Sequence, residues 1–139
     1  MTMGSDGIHV VAPIHPTVDF KYSKMFADGC AKTLVENYPE LVTSQLRKDK
    51  RENKIFIDTL RNQFGTTAVA PYSVRAYPKA PVAKPLEWHE LTNSKLESQT
   101  YTIINIFDRL EKKYDPWKDI FKKKKLLTRA GTKLEKILK

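Results

Sequence analysis

The sequence predicts an α+β fold with a mixed, mainly antiparallel sheet and flanking helices. Three observations indicate this class. The chain has 139 residues and 40% apolar content, which suit one globular domain with an ordinary core. Strand-like segments recur along the first half of the chain. Two other segments space their apolar residues as an amphipathic helix does.

The first two predicted elements are a strand and a long helix. Residues 7–14, GIHVVAPI, are typical of a buried strand that follows a glycine-bearing loop. Thr17 can cap a helix over residues 18–37, which Pro39 ends. The apolar positions of this helix recur at helical spacing: Tyr22, Met25, Phe26, Cys30 and Leu34.

A second strand is predicted at residues 55–58, IFID, after a charged connection. Because side chains alternate along a strand, Asp58 shares a face with Phe56, and Ile55 and Ile57 share the other. Asp58 is therefore a lone carboxylate at the end of a short β segment.

A third strand is predicted at residues 67–76. Pro71 lies inside it and marks an edge or an irregularity, because proline cannot donate to a ladder. We expect segments 8–14, 55–58 and 67–75 to be neighbours in one sheet that packs on the first helix.

The rest of the chain predicts an extended crossing, a short helix and a tail. Residues 77–85, YPKAPVAKP, carry three prolines and predict an extended segment on the surface. A short amphipathic stripe follows and ends near Asp115: Ile103, Ile106, Phe107 and Leu110. We assign residues 1–117 to the domain and residues 118–139 to a basic tail that is helical or frayed.

The tail carries most of the net charge. It contains nine Lys or Arg against Asp119 and Glu135, a net of +7 out of +9 for the chain. A run of lysines suits contacts to nucleic-acid phosphates without reading sequence: Lys122, Lys123, Lys124 and Lys125. The alternatives are a solvated terminal helix, or a tail whose leucines dock on a sheet surface.

The sequence also argues against several classes of protein and of site. No apolar run approaches the ~20 residues that span a bilayer, and the N-terminus lacks signal-peptide zones, so we expect a cytoplasmic chain with no membrane partner. Cys30, the single cysteine, allows neither an internal disulfide nor a thiolate zinc site. Hydrolase signatures such as G-x-S-x-G and H-E-x-x-H do not occur.

Asp58, Arg61 and Arg75 form a candidate nucleotide-phosphate site. Arginine offers bidentate hydrogen bonds to phosphate oxygens, and a carboxylate binds the Mg²⁺ or Mn²⁺ that neutralises them. The alternative for Asp58 is a turn or cap residue, and for each arginine a surface ion pair.

The opening segment GSDGIHVV adds a candidate phosphate loop. Gly4 and Gly7 around Ser5 would let backbone N–H groups approach a phosphate, and His9 follows on the strand. The loop is not a P-loop, because the lysine and the following Ser or Thr are absent. A structural role is the alternative for His9.

Four segments, in this order, resemble the second half of the polymerase domain of bacterial DNA ligase D, in the archaeo-eukaryotic primase superfamily. They are GSDGIHVVAPI, RKDKRENKIFIDTLRN, TTAVAPYSVRAYPKAPVAKPLEWHEL and YTIINIFDRLEKKYDPW. The resemblance covers residues 2–117 and implies the C-terminal half of a primase-polymerase catalytic domain. Family members are nucleotidyltransferases that extend DNA ends with NTPs or dNTPs during end joining, with a divalent metal.

The resemblance also implies residue roles. Asp58 is similar to the family's third metal-binding carboxylate, and His9 to the histidine that contacts the incoming nucleotide. Ser5 and Gly7 belong to the glycine-rich loop motif, and Arg61 and Arg75 match phosphate-contacting positions.

Two departures from the family pattern lie in the same loop. Met3 stands where Ser or Thr is usual, and Asp6 where Lys or Arg is common. An acidic Asp6 would repel a triphosphate, so the resemblance implies a weakened nucleotide site.

The family's first two metal ligands form an Asp-x-Asp pair upstream of the loop, and the 139 residues contain no such pair. A Mn or Mg ion is therefore expected only with a complementary half present. Three interpretations stay open. The chain is part of an end-joining polymerase that acts with a separately encoded N-terminal half or ligase, a non-catalytic DNA- or partner-binding module, or an inactive remnant.

Overall fold

The computed structural model describes residues 1–112 and 114–138, which fold as two compact units. The loop-rich unit contains Met1–Pro13 and Val69–Lys124. The helix-pair unit contains Ile14–Ala68 and the chain from Lys125 onward. Helices and a small sheet together give the predicted α+β class.

The long helix of the helix-pair unit, α1, spans Phe20–Asn37. Asp19, not Thr17, is its N-cap, and the Asp19 Oδ1 accepts a hydrogen bond from the Tyr22 amide at 2.7 Å. Its other end closes as the Tyr38 N–H donates to the Leu34 carbonyl, directly before Pro39. The predicted helix is confirmed, and the cap is the aspartate because its carboxylate reaches the amide three residues on.

The sheet of the described residues has two short strands, β1 at Val42–Thr43 and β2 at Ile55–Phe56. They pair in parallel, with Val42 opposite Ile55 and Thr43 opposite Phe56. The antiparallel sheet predicted from the sequence is therefore not confirmed. The parallel arrangement follows from the connection through the 3₁₀ turn Lys48–Lys50, which returns the chain before β2 begins.

A third helix, α3 at Leu127–Ile137, packs on α1 in the same unit. Gly29 of α1 faces Leu134 of α3, and a Cβ added to Gly29 would lie 2.8 Å from the Leu134 Cδ2. Gly131 of α3 faces the Tyr22 ring in return, with no room for a side chain. Within the segment predicted as a helical or frayed tail, residues 127–137 are therefore helical, and Leu134 and Leu138 lie against a helix.

Irregular extended segments build the loop-rich unit. Single antiparallel bridges join Thr2 to Ile8, Val74 to Val82, and Pro81 to Thr102. These bridges do not extend into strands, so the strands predicted at 7–14 and 67–76 are wrong for the described residues. Near Val74 the reason is local, because Pro71 has no N–H and Tyr72 adopts a φ of +63°.

The second half of the segment predicted as a surface crossing is the best-buried part of this unit. Pro81, Val82, Ala83, Lys84 and Pro85 are all buried. Successive main-chain amides of this segment donate to two different neighbouring segments. The Val82 N–H donates to the Tyr101 carbonyl at 2.7 Å, and the Ala83 N–H donates to the Ser73 carbonyl at 2.9 Å. The surface position is wrong for residues 81–85, because neighbouring segments pair with them on both sides. Residues 77–79 are exposed as predicted, but they form a turn and not an extended segment, since the Ala80 N–H donates to the Tyr77 carbonyl at 2.9 Å and Lys79 has a φ of +67°.

The helix α2 spans Ile106–Lys112 and completes the loop-rich unit. Of the predicted stripe only Ile106 is buried, whereas Ile103, Phe107 and Leu110 are exposed. Within the described residues, no helix combines the length and the apolar character that a membrane crossing requires.

Candidate functional site

The two loop glycines of the predicted phosphate loop have different surroundings. Gly4 has a φ of +63°, and a Cβ there would lie 2.9 Å from the Arg75 Cγ and 3.2 Å from the Val82 carbonyl carbon. Gly7 has a φ of +78°, and a Cβ there would meet nothing within 4 Å. Gly4 is thus required by close packing, and Gly7 lies on the open side of the loop.

Hydrogen bonds to residues 98 and 99 hold the packed side of the loop. The Gly4 N–H donates to the Ser98 carbonyl at 3.0 Å, and the carbonyl of the buried Ser5 accepts from the Ser98 hydroxyl and from the side-chain amide of Gln99. The Gly4 N–H is therefore used within the fold. The exposed turn at Asp6 and Gly7 is the part of the loop that a ligand can reach.

Arg75 lies against this loop. One guanidinium nitrogen, Nη1, donates to the Met3 carbonyl at 3.3 Å, and the Arg75 amide donates to the Pro81 carbonyl at 2.8 Å. The half-buried His9 is held through its main chain, since its N–H donates to the Met1 carbonyl at 2.9 Å and its carbonyl accepts from the Met1 amino group at 3.0 Å. Ser5, Gly7, His9 and Arg75 all belong to the loop-rich unit.

Asp58 and Arg61 belong to the helix-pair unit. Asp58 is exposed just beyond β2, and its Oδ1 accepts from the Leu60 amide at 2.9 Å. This bond opens the 3₁₀ turn Leu60–Asn62, which carries the exposed Arg61. One carboxylate oxygen of Asp58 therefore forms a turn, as the alternative interpretation expected.

The described residues alone do not provide a metal site. No group of three or more His, Cys, Asp or Glu side chains within them is placed to hold an ion. Asp58 offers one exposed carboxylate, which is fewer oxygen ligands than Mg²⁺ or Mn²⁺ takes from a protein and its substrate together. We therefore derive no chemical step through a metal from these residues.

A pocket of about 450 Å³ lies beside the Asp58 turn, between α1 and the segment around β2. A short polar network borders it. The Thr59 hydroxyl donates to the Asp28 Oδ1 at 2.6 Å, and the Lys24 ammonium lies 2.5 Å from the same oxygen. Burial alone would raise the pKa of Asp28, but these two partners lower it below its ordinary value. The network therefore connects Thr59, the residue after Asp58, to α1 through hydrogen bonding.

Sequence reasoning missed a buried ion-pair cluster in the loop-rich unit. Lys84 Nζ lies 3.2 Å from Glu90 Oε1, and Arg109 Nη2 lies 2.9 Å from the same oxygen. The side chain of Lys84 is 1% exposed, that of Glu90 is 9% exposed and that of Arg109 is 10% exposed. The Lys84 ammonium also lies 4.3 Å from the centre of the Tyr101 ring. We call these three charged residues the ion triad.

The main chain of Lys84 joins the ion triad to the segment before the glycine-bearing loop. The Lys84 main chain exchanges hydrogen bonds with Thr2, at 2.9 and 3.2 Å, directly before the glycines. Burial would raise the pKa of Glu90, but hydrogen bonds from the Glu87 amide, Arg109 and Lys84 outweigh it and lower the pKa from 4.5 to about 2. Glu90 is therefore an anion between two cations. The only local signal was the E-x-x-E spacing of a capping box, formed by Glu87 and Glu90.

Another buried polar group lies beside the triad. The Tyr72 hydroxyl is buried, and burial, followed by the nearby Asp115 carboxylate, raises the pKa of Tyr72. Tyr72 stays a neutral phenol across the physiological range. Its amide donates to the Ala83 carbonyl at 2.6 Å, which joins it to the buried segment.

The lysine run predicted to contact nucleic acid is exposed. Lys122 already pairs with Asp119, its ammonium 2.8 Å from the Asp119 Oδ1. The carbonyl of Lys125 accepts from the His15 amide at 3.0 Å, which anchors the main chain just before α3. Lys123 and Lys124 complete the run and are also exposed.

Comparisons with known proteins place these features in a family. A family model described as LigD, primase-polymerase domain, matches residues 1–117. A Mycobacterium tuberculosis protein named multifunctional non-homologous end joining DNA repair protein LigD is 35% identical over 101 residues, covering 73% of this chain and 13% of that protein. The bifunctional non-homologous end joining protein LigD of Bacillus subtilis is 31% identical over 120 residues, covering 86% of this chain and 20% of that protein.

A solved structure agrees with the sequence comparisons. The polymerase domain from Mycobacterium tuberculosis ligase D in complex with DNA superimposes with a TM-score of 0.69 at 29% identity, covering 78% of this chain and 37% of that chain. The chain therefore spans about a third of that solved domain and a smaller share of the curated relatives. The matched region, residues 1–117, includes both candidate arrangements, the glycine loop with Arg75 and the Asp58 turn. This chain belongs to the LigD primase-polymerase domain family.

Proposed function

We propose that this chain is the nucleotide-binding part of a DNA end-joining polymerase, with NTP or dNTP as its ligand and a DNA end as its partner. The observation that carries this proposal is the packing of Arg75 against the glycine loop. One Arg75 donor reaches the Met3 carbonyl, and the guanidinium has five donors in all. The others are suited to phosphate oxygens brought to the open turn at Gly7.

We also propose a role in nucleotidyl transfer for Asp58 and Arg61 of the helix-pair unit. The exposed Asp58 carboxylate contributes one ligand to a divalent metal, and Arg61 contributes charge for phosphate oxygens. The remaining metal ligands come from a complementary half of the domain. A bound metal would neutralise the phosphate charge, and the residues of this chain position the nucleotide.

Among the residues that the structure describes, only β1 pairs with β2, and the second edge of β2 supports a complementary half. The Ile55 and Ile57 amides donate to the Leu41 and Thr43 carbonyls, each at 2.9 Å. Because successive main-chain groups of a strand point to opposite edges, those of Phe56 point away from β1. Ile55 is 67% exposed beside this edge. Parallel strand pairs are otherwise found buried in larger sheets, so we propose that a strand of the complementary half pairs with β2.

A non-catalytic binding module is the second candidate, and Asp6 favours it. Asp6 is exposed in the loop turn beside Gly7, where a carboxylate repels a triphosphate. In that case the chain would retain DNA or partner binding without a nucleotide.

Nucleotide binding by the full chain distinguishes the two. Titration calorimetry with ATP and Mn²⁺ is expected to show binding that Arg75→Gln weakens by roughly 10- to 100-fold, the loss typical of a charged hydrogen-bond donor. Lys95→Gln is the matched control, because Lys95 is an exposed cation in the same unit. Equal affinity in the two variants, or no binding by the wild-type chain, would contradict the nucleotide role and favour the binding module.

A further inference from the structure

The helix α3 lies outside the region that the family model matches. The match ends at residue 117, and α3 spans Leu127–Ile137. The family model therefore assigns nothing to this helix, and we infer its role from its own residues. Its two sides have opposite character.

One side of α3 is anchored. Leu127 is 7% exposed, Gly131 is buried against Tyr22, and Leu134 packs on Gly29. At 100° per residue, these positions of α3 lie on one face of the helix. The contacts hold α3 in one orientation on α1, so the opposite face has a defined direction.

The opposite face of α3 is basic. Arg129, Lys133 and Lys136 are exposed, and their spacing of four and three residues places them within one stripe, about half a turn from the packed face. Within the residues that the structure covers, none of the three forms an ion pair. We call these three residues the basic ridge. It is about 10 Å long, from the helical rise of ~1.5 Å per residue.

Lys136 lies in the last turn of α3, where a cation suits the helix dipole, but Arg129 lies at the opposite end. The first turn of α3 contains no acidic residue, yet it carries Arg129 and follows Lys125. Cations at the N-terminus of a helix oppose its dipole. Leu126 at the N-cap also provides no side-chain hydrogen bond. An anion bound along this face would offset the repulsion among the three cations, which solvation alone leaves in place.

We infer that the basic ridge binds the phosphate backbone of duplex DNA, independently of sequence, while the packed face with Leu127 and Leu134 holds α3 on α1. The inference rests on the proposed function, which supplies the DNA end as the partner. Rigidity favours this role, because side chains presented by an anchored helix lose less entropy on binding than those of a frayed tail. The ridge differs from the lysine run, where Lys122 already has an acidic partner.

The test uses the full chain with Arg129, Lys133 and Lys136 all changed to Gln. Its matched control changes Lys21, Lys48 and Lys50 to Gln, which removes the same charge from exposed positions of the same unit. A third variant changes Lys122, Lys123 and Lys124 to Gln and isolates the lysine run. Thermal unfolding verifies that each variant folds, and fluorescence anisotropy measures binding to two blunt duplexes of unrelated sequence across a salt series.

The ridge variant is expected to lose affinity on the order of 10- to 100-fold near 0.1 M salt for both duplexes. Its slope of log K against log[salt] should become less steep by about 2 to 3, as three phosphate contacts require. The control should change much less. Wild-type affinity in the ridge variant, an equal loss in the control, or a loss only in the lysine-run variant would overturn the inference.

Two further measurements separate the inference from its premises. Binding to phosphatidylserine vesicles in place of duplex DNA would overturn it in favour of a membrane surface. ATP titration of the same variants tests the proposed function separately. If the chain binds DNA through the ridge but binds no nucleotide, the nucleotide role is contradicted. The inference that the ridge binds DNA is then still supported.

Discussion

Leu134 of α3 packs into the space left by Gly29 of α1, so closely that a Cβ at Gly29 would lie 2.8 Å from the Leu134 Cδ2. The contact joins residues more than a hundred positions apart in the sequence. It makes α3 part of the helix-pair unit and not a dispensable extension.

Shortening Leu134 is expected to destabilise the helix-pair unit. Leu134→Ala removes a half-buried side chain and opens space above Gly29, so the free energy of unfolding should fall by about 1 to 2 kcal/mol, below the range for fully buried leucines. Denaturant unfolding measures the change. Ile137→Ala is the control, because Ile137 is 65% exposed on the same helix. An equal effect of the two substitutions would argue against the α1 contact.

Removing the Glu90 carboxylate charge is expected to destabilise the loop-rich unit strongly. Glu90→Gln leaves Lys84 and Arg109 as buried cations without their common anion, which typically costs about 3 to 5 kcal/mol. Glu97→Gln, at an exposed position of the same unit, should have little effect. A mild loss in Glu90→Gln, similar to that in the control, would show that the triad is not a buried network in solution.

The low pKa of Glu90 predicts an acid-sensitive contribution to stability. The pKa is lowered from 4.5 to about 2 in the folded chain, so the unfolded chain binds a proton first as the pH falls. The stabilisation is complete above about pH 4.5 and disappears as the pH approaches 2. The stability difference between wild type and Glu90→Gln should therefore be large at neutral pH and shrink through this window. A difference that stays constant down to pH 2 would contradict the assignment.

Alanine at the two loop glycines should have unequal effects. Both positions have positive φ, which costs about 1 to 2 kcal/mol for a residue with a Cβ. Gly4→Ala adds a clash with Arg75 and with the main chain of Val82, whereas Gly7→Ala meets no atom within 4 Å. Gly4→Ala should therefore be the less stable variant in thermal unfolding. Equal stability of the two variants would indicate that Arg75 does not pack against the loop.

The 139-residue chain by itself is expected to add no nucleotides to a DNA primer. A two-metal nucleotidyl transfer needs carboxylates around both ions, and the sequence contains no Asp-x-Asp pair to join Asp58. Primer extension with Mn²⁺ and NTPs measures the activity, with Asp58→Ala as the comparison. Extension by the wild-type chain that is lost in Asp58→Ala would show that one carboxylate suffices.

Local patterns in the sequence predicted the elements whose formation depends on near neighbours. The helix at α1 follows from apolar residues at helical spacing and from Pro39, and its observed limits differ from the prediction by about one turn or less. The family resemblance, carried by residues such as His9 and Asp58 in ordered motifs, is confirmed by the family model over residues 1–117. The cap at Asp19 was missed because Thr17 offers the same chemistry two residues earlier.

The tertiary structure decided what depends on pairing between distant segments. Proline content predicted a surface position for residues 77–85, but partners at Thr2 and Tyr101 bury residues 81–85. The ion triad joins Lys84 to Arg109 through Glu90, and α3 joins α1 across the length of the chain. Propensity and periodicity describe a residue's own neighbourhood in sequence, whereas burial and ion pairing arise when separate segments exclude water from each other. The sequence by itself therefore determined the family and the long helix, and only the packing decided which charges are buried and which face of α3 is free to bind.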